Sequence, residues 1–257
     1  MYNEKEYLIA GEYNELTGRQ LIKLSPLLKL NSVYDLTISL QVLQVLLNKS
    51  TTSFYFMSLD FRERALEHVQ WVFQKNTLTK QLLPEIKGFF GPKSNFDNLT
   101  LEEYHCAEIF YSELLEDKDP AALDKLIAVL YRKPKSFFYN QEKDSAGDVR
   151  MPFNEHEIDY WAKQISRWQP ALKDAVLLWY DGCRQHLISL YSAVFTAPSD
   201  LPAKEDPGSR GMFGVIRQIA DGNKYGQFEQ VKKLNIHTAL LEMEQLIKEA
   251  AEASKLS

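Results

Sequence analysis

Apolar residues recur along most of this chain at spacings of three and four residues, the period of an amphipathic α-helix. The clearest stripe follows Asp119-Pro120, an N-cap residue with a proline at the first helical position. Its members are Leu123, Leu126, Ile127, Leu130 and Tyr131. Alternation of apolar and polar residues is weak, and we expect at most short strands at 6–10 and 149–153. The pattern therefore predicts an all-α protein.

Several helix starts carry recognisable caps. Thr100 and Glu103 have the spacing of a capping box, in which each side chain satisfies a backbone N–H at the helix start. We expect that helix to end near Leu115. Asn154 likewise predicts a helix that ends near Trp168.

The N-terminal third contains three predicted helices. The first follows Thr17, and Pro26 is expected to kink or break it. The second covers about 32–47. The third begins after Ser58, and its buried face is expected to contain Leu59, Leu66, Val69 and Phe73.

Two segments interrupt the helical pattern. Prolines and glycines punctuate residues 76–98, where we expect Phe89 and Phe90 to be buried anchors of an irregular segment. Residues 132–153 are expected to form a long loop.

The most apolar helix begins at Pro170 and is predicted to be the central core helix. Residues 197–211 contain three prolines and two glycines and are the clearest linker. We therefore predict a main helical domain over 1–196 and a C-terminal helical extension over 212–257, docked on the main domain or on a partner. The last helix is expected to begin at Asn235. The architecture is an irregular bundle of about nine helices.

Composition narrows the classes of function. The 257 residues carry a net charge of −5, which disfavours a surface that coats nucleic acid. Two cysteines are too few for a disulfide framework. We expect no signal peptide and no membrane span, because no apolar run approaches about 18 residues. A reducing cytosol is the expected compartment.

One cluster resembles a metal site. Glu102 and His105 have the spacing of half a di-iron site, but no other histidine has a carboxylate three residues before it. A zinc site would combine His105 and Cys106 with Cys183 and His186. Adjacent helical residues diverge by about 100°, however, so His105 and Cys106 would not aim at one ion. We predict no metal and no cofactor, with a metal-dependent helical enzyme as the alternative.

Signatures of nucleophilic catalysis and of phosphate binding are missing from the sequence. It contains no Gly-x-Ser-x-Gly elbow and no Gly-x-x-x-x-Gly-Lys loop, and neither cysteine lies in a protease-like context. The prediction is a protein that is not an enzyme.

Two segments are candidate partner-binding surfaces. In the loop 131–139, cations lie beside aromatics, a composition typical of protein hot spots and of single-stranded nucleic-acid binders. The alternative is a loop whose aromatics fold back on the body of the protein. Its candidate residues are Arg132, Lys133, Lys135, Phe137, Phe138 and Tyr139. The last helix has a short apolar seam with heptad-like spacing, formed by Ile236, Leu240, Met243 and Ile247.

The stretch FDNLTLEEYHCAEIFY, followed by an acidic spacer and DPAALDKLIAVLYRK, resembles a pattern in tail assembly proteins of tailed bacteriophages. The matching positions there are Phe96, Leu99, Thr100, Glu103, Ala128, Val129, Leu130, Tyr131 and Arg132. ELTGRQLIKLSPLL resembles the opening of such proteins at Glu15, Thr17 and Gln20. HTALLEMEQLIKEA is similar to C-terminal helices of prophage-type proteins of the Bacteroidetes group.

The resemblance implies a non-enzymatic chaperone-like protein that binds tape-measure or tail-tube subunits during phage tail assembly. It places the protein in the bacterial host cytoplasm, as a transient chaperone or a virion component, and not in secreted form. The chain could also form homo-oligomers. Binding of single-stranded nucleic acid by the 131–139 loop is the alternative function. The proline after AVLYRK, Pro134, comes one residue later than in the related pattern, and the C-terminal extension is long for a small chaperone.

Overall fold

A computed structural model describes residues 7–29, 35–135, 147–196 and 225–256, together with Ile219. These residues form eleven α-helices and one sheet of two very short strands, which confirms the all-α prediction. The helices that were not predicted are short: Thr51–Tyr55 and Phe228–Lys232. The helix predicted to begin at Pro170 ends at Leu190, and its expected last turn is a separate short helix, Ser192–Thr196. The predicted linker 197–211 and most of the segment that follows it lie outside the described residues. None of the described helices is both long enough and apolar enough to cross a membrane.

The chain divides into two compact units. The first consists of Met1–Leu83 and Trp168–Gln185, and the second of Pro84–Arg167 and His186–Ser257. The helices of the first unit are α1 (Gly18–Leu28), α2 (Leu36–Leu46), α3 (Thr51–Tyr55), α4 (Leu59–Leu66) and α8 (Pro170–Leu190) as far as Gln185. Its buried side chains include Leu24, Val42, Leu43, Val69 and Trp179.

Pro26 does not break helix α1, which continues to Leu28. A proline inside a helix leaves the carbonyl four residues earlier without its backbone donor. Here that carbonyl belongs to Ile22, and it accepts a hydrogen bond of 3.3 Å from the hydroxyl of Ser25. The helix starts with a capping box between Thr17 and Gln20.

The third predicted helix is only half correct. Ser58 caps α4 as expected, but the α-helix ends at Leu66 and continues as a 3-10 helix over Glu67–Phe73. The tighter winding of a 3-10 helix moves the buried face, because side chains then repeat every three residues. Val69 and Val72 are buried, whereas Leu59 is exposed.

Gly182 lets an extended segment approach helix α8 in the first unit. A Cβ atom at this position would lie 2.3 Å from the carbonyl oxygen of Leu78. Asn76 holds the same segment in place: its side-chain amide donates to the carbonyl of Leu178 at 2.7 Å and accepts from the N–H of Leu78 at 3.1 Å. The glycine therefore serves packing rather than flexibility.

The second unit contains the small sheet and the other helices. Its elements are β1 (Glu85–Ile86), β2 (Phe89–Phe90), α5 (Leu101–Glu116), α6 (Pro120–Leu130), α7 (Ile158–Ile165), the end of α8, α9 (Ser192–Thr196), α10 (Phe228–Lys232) and α11 (Ile236–Leu256). Helix α6 packs against both α5 and α7. All five residues of the predicted α6 stripe are buried, and Asp119 caps the helix.

Residues 85–90 form a hairpin that the sequence pattern does not reveal. Its turn is Lys87-Gly88, and both residues have positive φ, as a tight hairpin turn requires. Phe90 then pairs with Arg132 through two backbone hydrogen bonds of 2.7 and 3.0 Å. Phe89 is buried, as expected, whereas Phe90 is only half-buried. No strand forms over residues 7–10, and Arg150 makes only an isolated bridge to Pro134.

Backbone hydrogen bonds fix the start of α11 to the start of α5. The N–H of Leu101 donates to the carbonyl of Leu234 at 2.8 Å, and the N–H of Ile236 donates to the carbonyl of Leu99 at 2.9 Å. Asn235 accepts from the N–H of His237, which confirms its predicted role as a cap. The described part of the C-terminal segment is therefore integrated into the second unit.

Candidate interaction surfaces

Three large apolar side chains at the junction of α3 and α4, in the first unit, are exposed. Tyr55, Phe56 and Leu59 are 70%, 87% and 66% exposed. Ser50 caps α3 and Ser58 caps α4. Only three residues therefore separate the end of α3 at Tyr55 from the start of α4 at Leu59. We call Tyr55, Phe56 and Leu59 the junction patch.

The chain around the patch is held by its own contacts. Phe54 is buried, and the guanidinium of Arg62 lies 5.6 Å from the centre of its ring. The N–H of Phe56 caps α3 by donating to the carbonyl of Thr52 at 3.2 Å. Because these contacts fix the backbone on both sides of the junction, Tyr55, Phe56 and Leu59 remain exposed. The junction patch was missed from the sequence, although two serine caps flanking TSFYFM could have indicated it.

Arg132 was predicted to belong to a cationic loop, but it is buried. Its guanidinium lies 2.5 Å from a carboxylate oxygen of Glu103 and donates to the carbonyls of Met151 and Val129 at 2.7 and 3.0 Å. A guanidinium with this many internal partners is not presented to a ligand. The role predicted for Arg132 at an exposed surface is therefore corrected to an internal one.

The two lysines of the same loop also make internal contacts. The ammonium of Lys133 lies 3.9 Å from the centre of the Phe89 ring, a cation–π contact, and 3.4 Å from the carbonyl oxygen of Gly88. The ammonium of Lys135 donates to the carbonyl of Asp148 at 2.5 Å. Phe137, Phe138 and Tyr139 lie outside the described residues, so the predicted binding role of the loop stays a prediction.

A buried ion cluster lies where the loop returns. Arg150 is fully buried and donates to Asp148 at 2.7 Å and to Glu103 at 3.4 Å. Together with Arg132, the cluster pairs two guanidiniums with two carboxylates. Burial alone would raise the pKa of Asp148, but the hydrogen bonds and charge of Arg150 outweigh it, so the pKa lies below its ordinary value. Balanced charge and multiple hydrogen bonds are what a buried ion cluster requires.

The residues considered for metal binding are not brought together as one site. Glu102 pairs with Lys232 at 2.7 Å. Burial, reinforced by nearby carboxylates, raises the pKa of the Cys106 thiol to about 11. Cys183 is buried, with its sulfur 3.5 Å from the carbonyl of Thr79, and His186 is exposed. The described residues contain no group of three His, Cys, Asp or Glu side chains placed to hold a metal ion.

The seam of the last helix is covered within its own unit over most of its length. Ile236, Leu240 and Met243 are buried, and α11 packs against α5 and α9. Ile247 is half-buried, and Leu241, outside the seam, is exposed. A partner helix would therefore reach the predicted seam only beyond Met243.

Comparison of the chain with protein-family models, with curated proteins and with solved structures found no match.

Proposed function

We propose that the chain is a non-enzymatic protein of phage or prophage tail assembly, which binds tape-measure or tail-tube subunits in the cytoplasm of the bacterial host. The proposal rests on the resemblance of Phe96–Arg132 to tail assembly proteins and on a surface suited to binding another protein.

The observation that carries the binding role is the junction patch. Burying one large apolar side chain contributes about 1.5–3 kcal/mol. Neighbouring exposed residues of this size on a soluble protein commonly mark an interaction site. Phe56, at 87% exposed, is placed to act as the anchor of such an interface.

The state of the two cysteines supports a non-enzymatic role. Because its pKa is raised to about 11, the thiol of Cys106 stays protonated at neutral pH. The thiolate, not the thiol, acts as a nucleophile or a metal ligand. Cys183 is buried against backbone carbonyls and has no access to a substrate.

Co-expression with the tape-measure protein encoded nearby, followed by affinity purification, tests the proposal. Complex formation by the wild type, lost in Phe56→Ser/Leu59→Ser, is the expected result. Leu190→Ser/Leu241→Ser is the control, because both leucines are exposed apolar residues outside the junction patch. If the wild type forms no complex and is also absent from purified particles, the proposal fails.

The two alternatives have their own measurements. Stoichiometric iron or zinc in the purified protein would favour a metal-dependent enzyme. A salt-sensitive shift with a single-stranded oligonucleotide, abolished by Lys133→Glu/Lys135→Glu, would favour nucleic-acid binding. Either result would replace the proposed function.

A further inference from the structure

The C-terminal half of α5 lines an open groove in the second unit, with a volume of about 470 Å³. The apolar residues that line it include Ile109 on α5 and Phe195 on α9. The acidic residues that line it include Glu113, Glu116 and Asp117. Ile109 is 43% exposed although it faces this concave surface. The groove thus combines accessible apolar area with carboxylates.

The charge of the groove has one sign. Among the described residues that line it, four are carboxylates and none is a lysine or an arginine. Lys118 follows the helix in sequence but does not line the groove.

The helix itself adds to the negative field. The last carbonyls of an α-helix carry a partial negative charge, so cations are favoured there and carboxylates are unfavourable. Helix α5 has no basic residue in its last turn, which instead contains Glu113 and Glu116. Asp117 occupies the C-cap position. The last turn of α5 therefore contributes no positive charge of its own to the groove, and a bound cation would be favoured there.

The spacing on α5 indicates the shape of the ligand. Ile109, Glu113 and Glu116 follow one another at i, i+4 and i+7, so they form one stripe about 10 Å long on the helix surface. A helix lying antiparallel along this stripe would place an apolar side chain against Ile109. Basic side chains four and seven residues earlier on that helix would then lie opposite Glu113 and Glu116.

We infer that the groove binds a basic amphipathic helix with an apolar anchor preceded by lysine or arginine four and seven residues earlier. Complementary charge selects this partner, because the groove offers carboxylates and a helix C-terminus to the cations. The inference goes beyond the proposed function: it concerns the second unit, whereas the junction patch belongs to the first, and it requires no tail protein.

The test uses the full chain and a fluorescein-labelled helical peptide with this pattern, followed by fluorescence anisotropy at physiological salt. A peptide with glutamate in place of each lysine is the charge control. We expect the basic peptide to bind and the acidic one not to bind. Glu113→Gln/Glu116→Gln should weaken binding by about tenfold or more, and Ile109→Ser should also weaken it.

The matched control is Glu63→Gln/Glu67→Gln, which removes the same charge from exposed positions of the first unit. It should leave binding unchanged, and circular dichroism should show all variants folded. If the two double variants weaken peptide binding equally, the weakening reflects net charge alone and the inference is overturned. A basic peptide that does not bind the wild type would also overturn it. A dimer seen by sedimentation velocity and lost in Glu113→Gln/Glu116→Gln would identify a second copy as the occupant instead. A tail-protein complex without peptide binding would refute this inference and leave the proposed function standing.

Discussion

The guanidinium of Arg132 lies 2.5 Å from the carboxylate of Glu103, and both side chains are buried. Glu103 thereby has two roles. Its other oxygen accepts from the backbone N–H of Thr100 at 3.0 Å, which completes the capping box of α5, and from Arg150 at 3.4 Å. One carboxylate thus fixes the start of a helix and joins it to two distant segments of the chain.

Glu103→Gln should destabilise the protein strongly. The amide still has an oxygen to accept from Thr100, so the cap is preserved, but the two arginines keep only one carboxylate, Asp148, between them. Removing one partner of a buried ion pair costs about 3–5 kcal/mol. We expect the free energy of unfolding to fall by about 3 kcal/mol in urea titrations followed by tryptophan fluorescence.

Glu102→Gln is the control on the neighbouring residue of the same helix. Glu102 pairs with Lys232 in a partly exposed position, so its loss should cost about 1 kcal/mol or less. Equal losses for the two variants would contradict a special role for the buried cluster.

Acid should weaken the same cluster through Asp148. Because Arg150 lowers the pKa of Asp148 in the folded state, the unfolded chain binds the proton more readily. The stabilisation is fully present above about pH 4, the value for an unfolded aspartate, and is lost as the pH falls through the lower folded value.

Asp148→Asn should therefore be less stable than the wild type at neutral pH, and the difference should shrink at about pH 3. Urea titrations at several pH values measure this. Asp159→Asn, which removes one carboxylate from an exposed position, controls for net charge. A difference between Asp148→Asn and the wild type that does not depend on pH would refute the assignment.

Gly182→Ala should destabilise the protein, although alanine is normally better than glycine inside a helix by about 1 kcal/mol. The added Cβ would lie 2.3 Å from the Leu78 carbonyl oxygen and 2.9 Å from the side-chain oxygen of Asn76. We expect a loss of about 2 kcal/mol, measured as a lower urea midpoint. Ser189→Ala, at an exposed site on the same helix, should change stability by no more than about 0.5 kcal/mol.

Cys106 should react slowly with iodoacetamide, because burial raises its pKa to about 11. In a Cys183→Ser background, the alkylation rate measured by mass spectrometry should rise about tenfold per pH unit up to about pH 9.5, without levelling off. An ordinary thiol would begin to level off within that range. A plateau near neutral pH would indicate an activated cysteine and would reopen the question of an enzyme.

The helix starts could be predicted from sequence because a cap is local. Thr100, Asp119 and Ser58 each accept a backbone N–H two or three residues ahead, and such contacts depend little on the rest of the chain. The α6 stripe was predictable for a similar reason: residues at three- and four-residue spacing share one face of a helix wherever it packs. The hairpin at 85–90 was missed, since two-residue strands are too short to show alternation.

By itself, the sequence determined the helical class and the capped starts. Only the tertiary structure decided that Arg132 is buried, because its partners Glu103 and Met151 lie far from it in the chain. Likewise, Phe56 is exposed because two caps fix the chain on either side of it. Local hydrogen bonds and periodicity are encoded over a few residues. Whether a charge is paired inside or an aromatic remains in water depends on which distant segments fold against it.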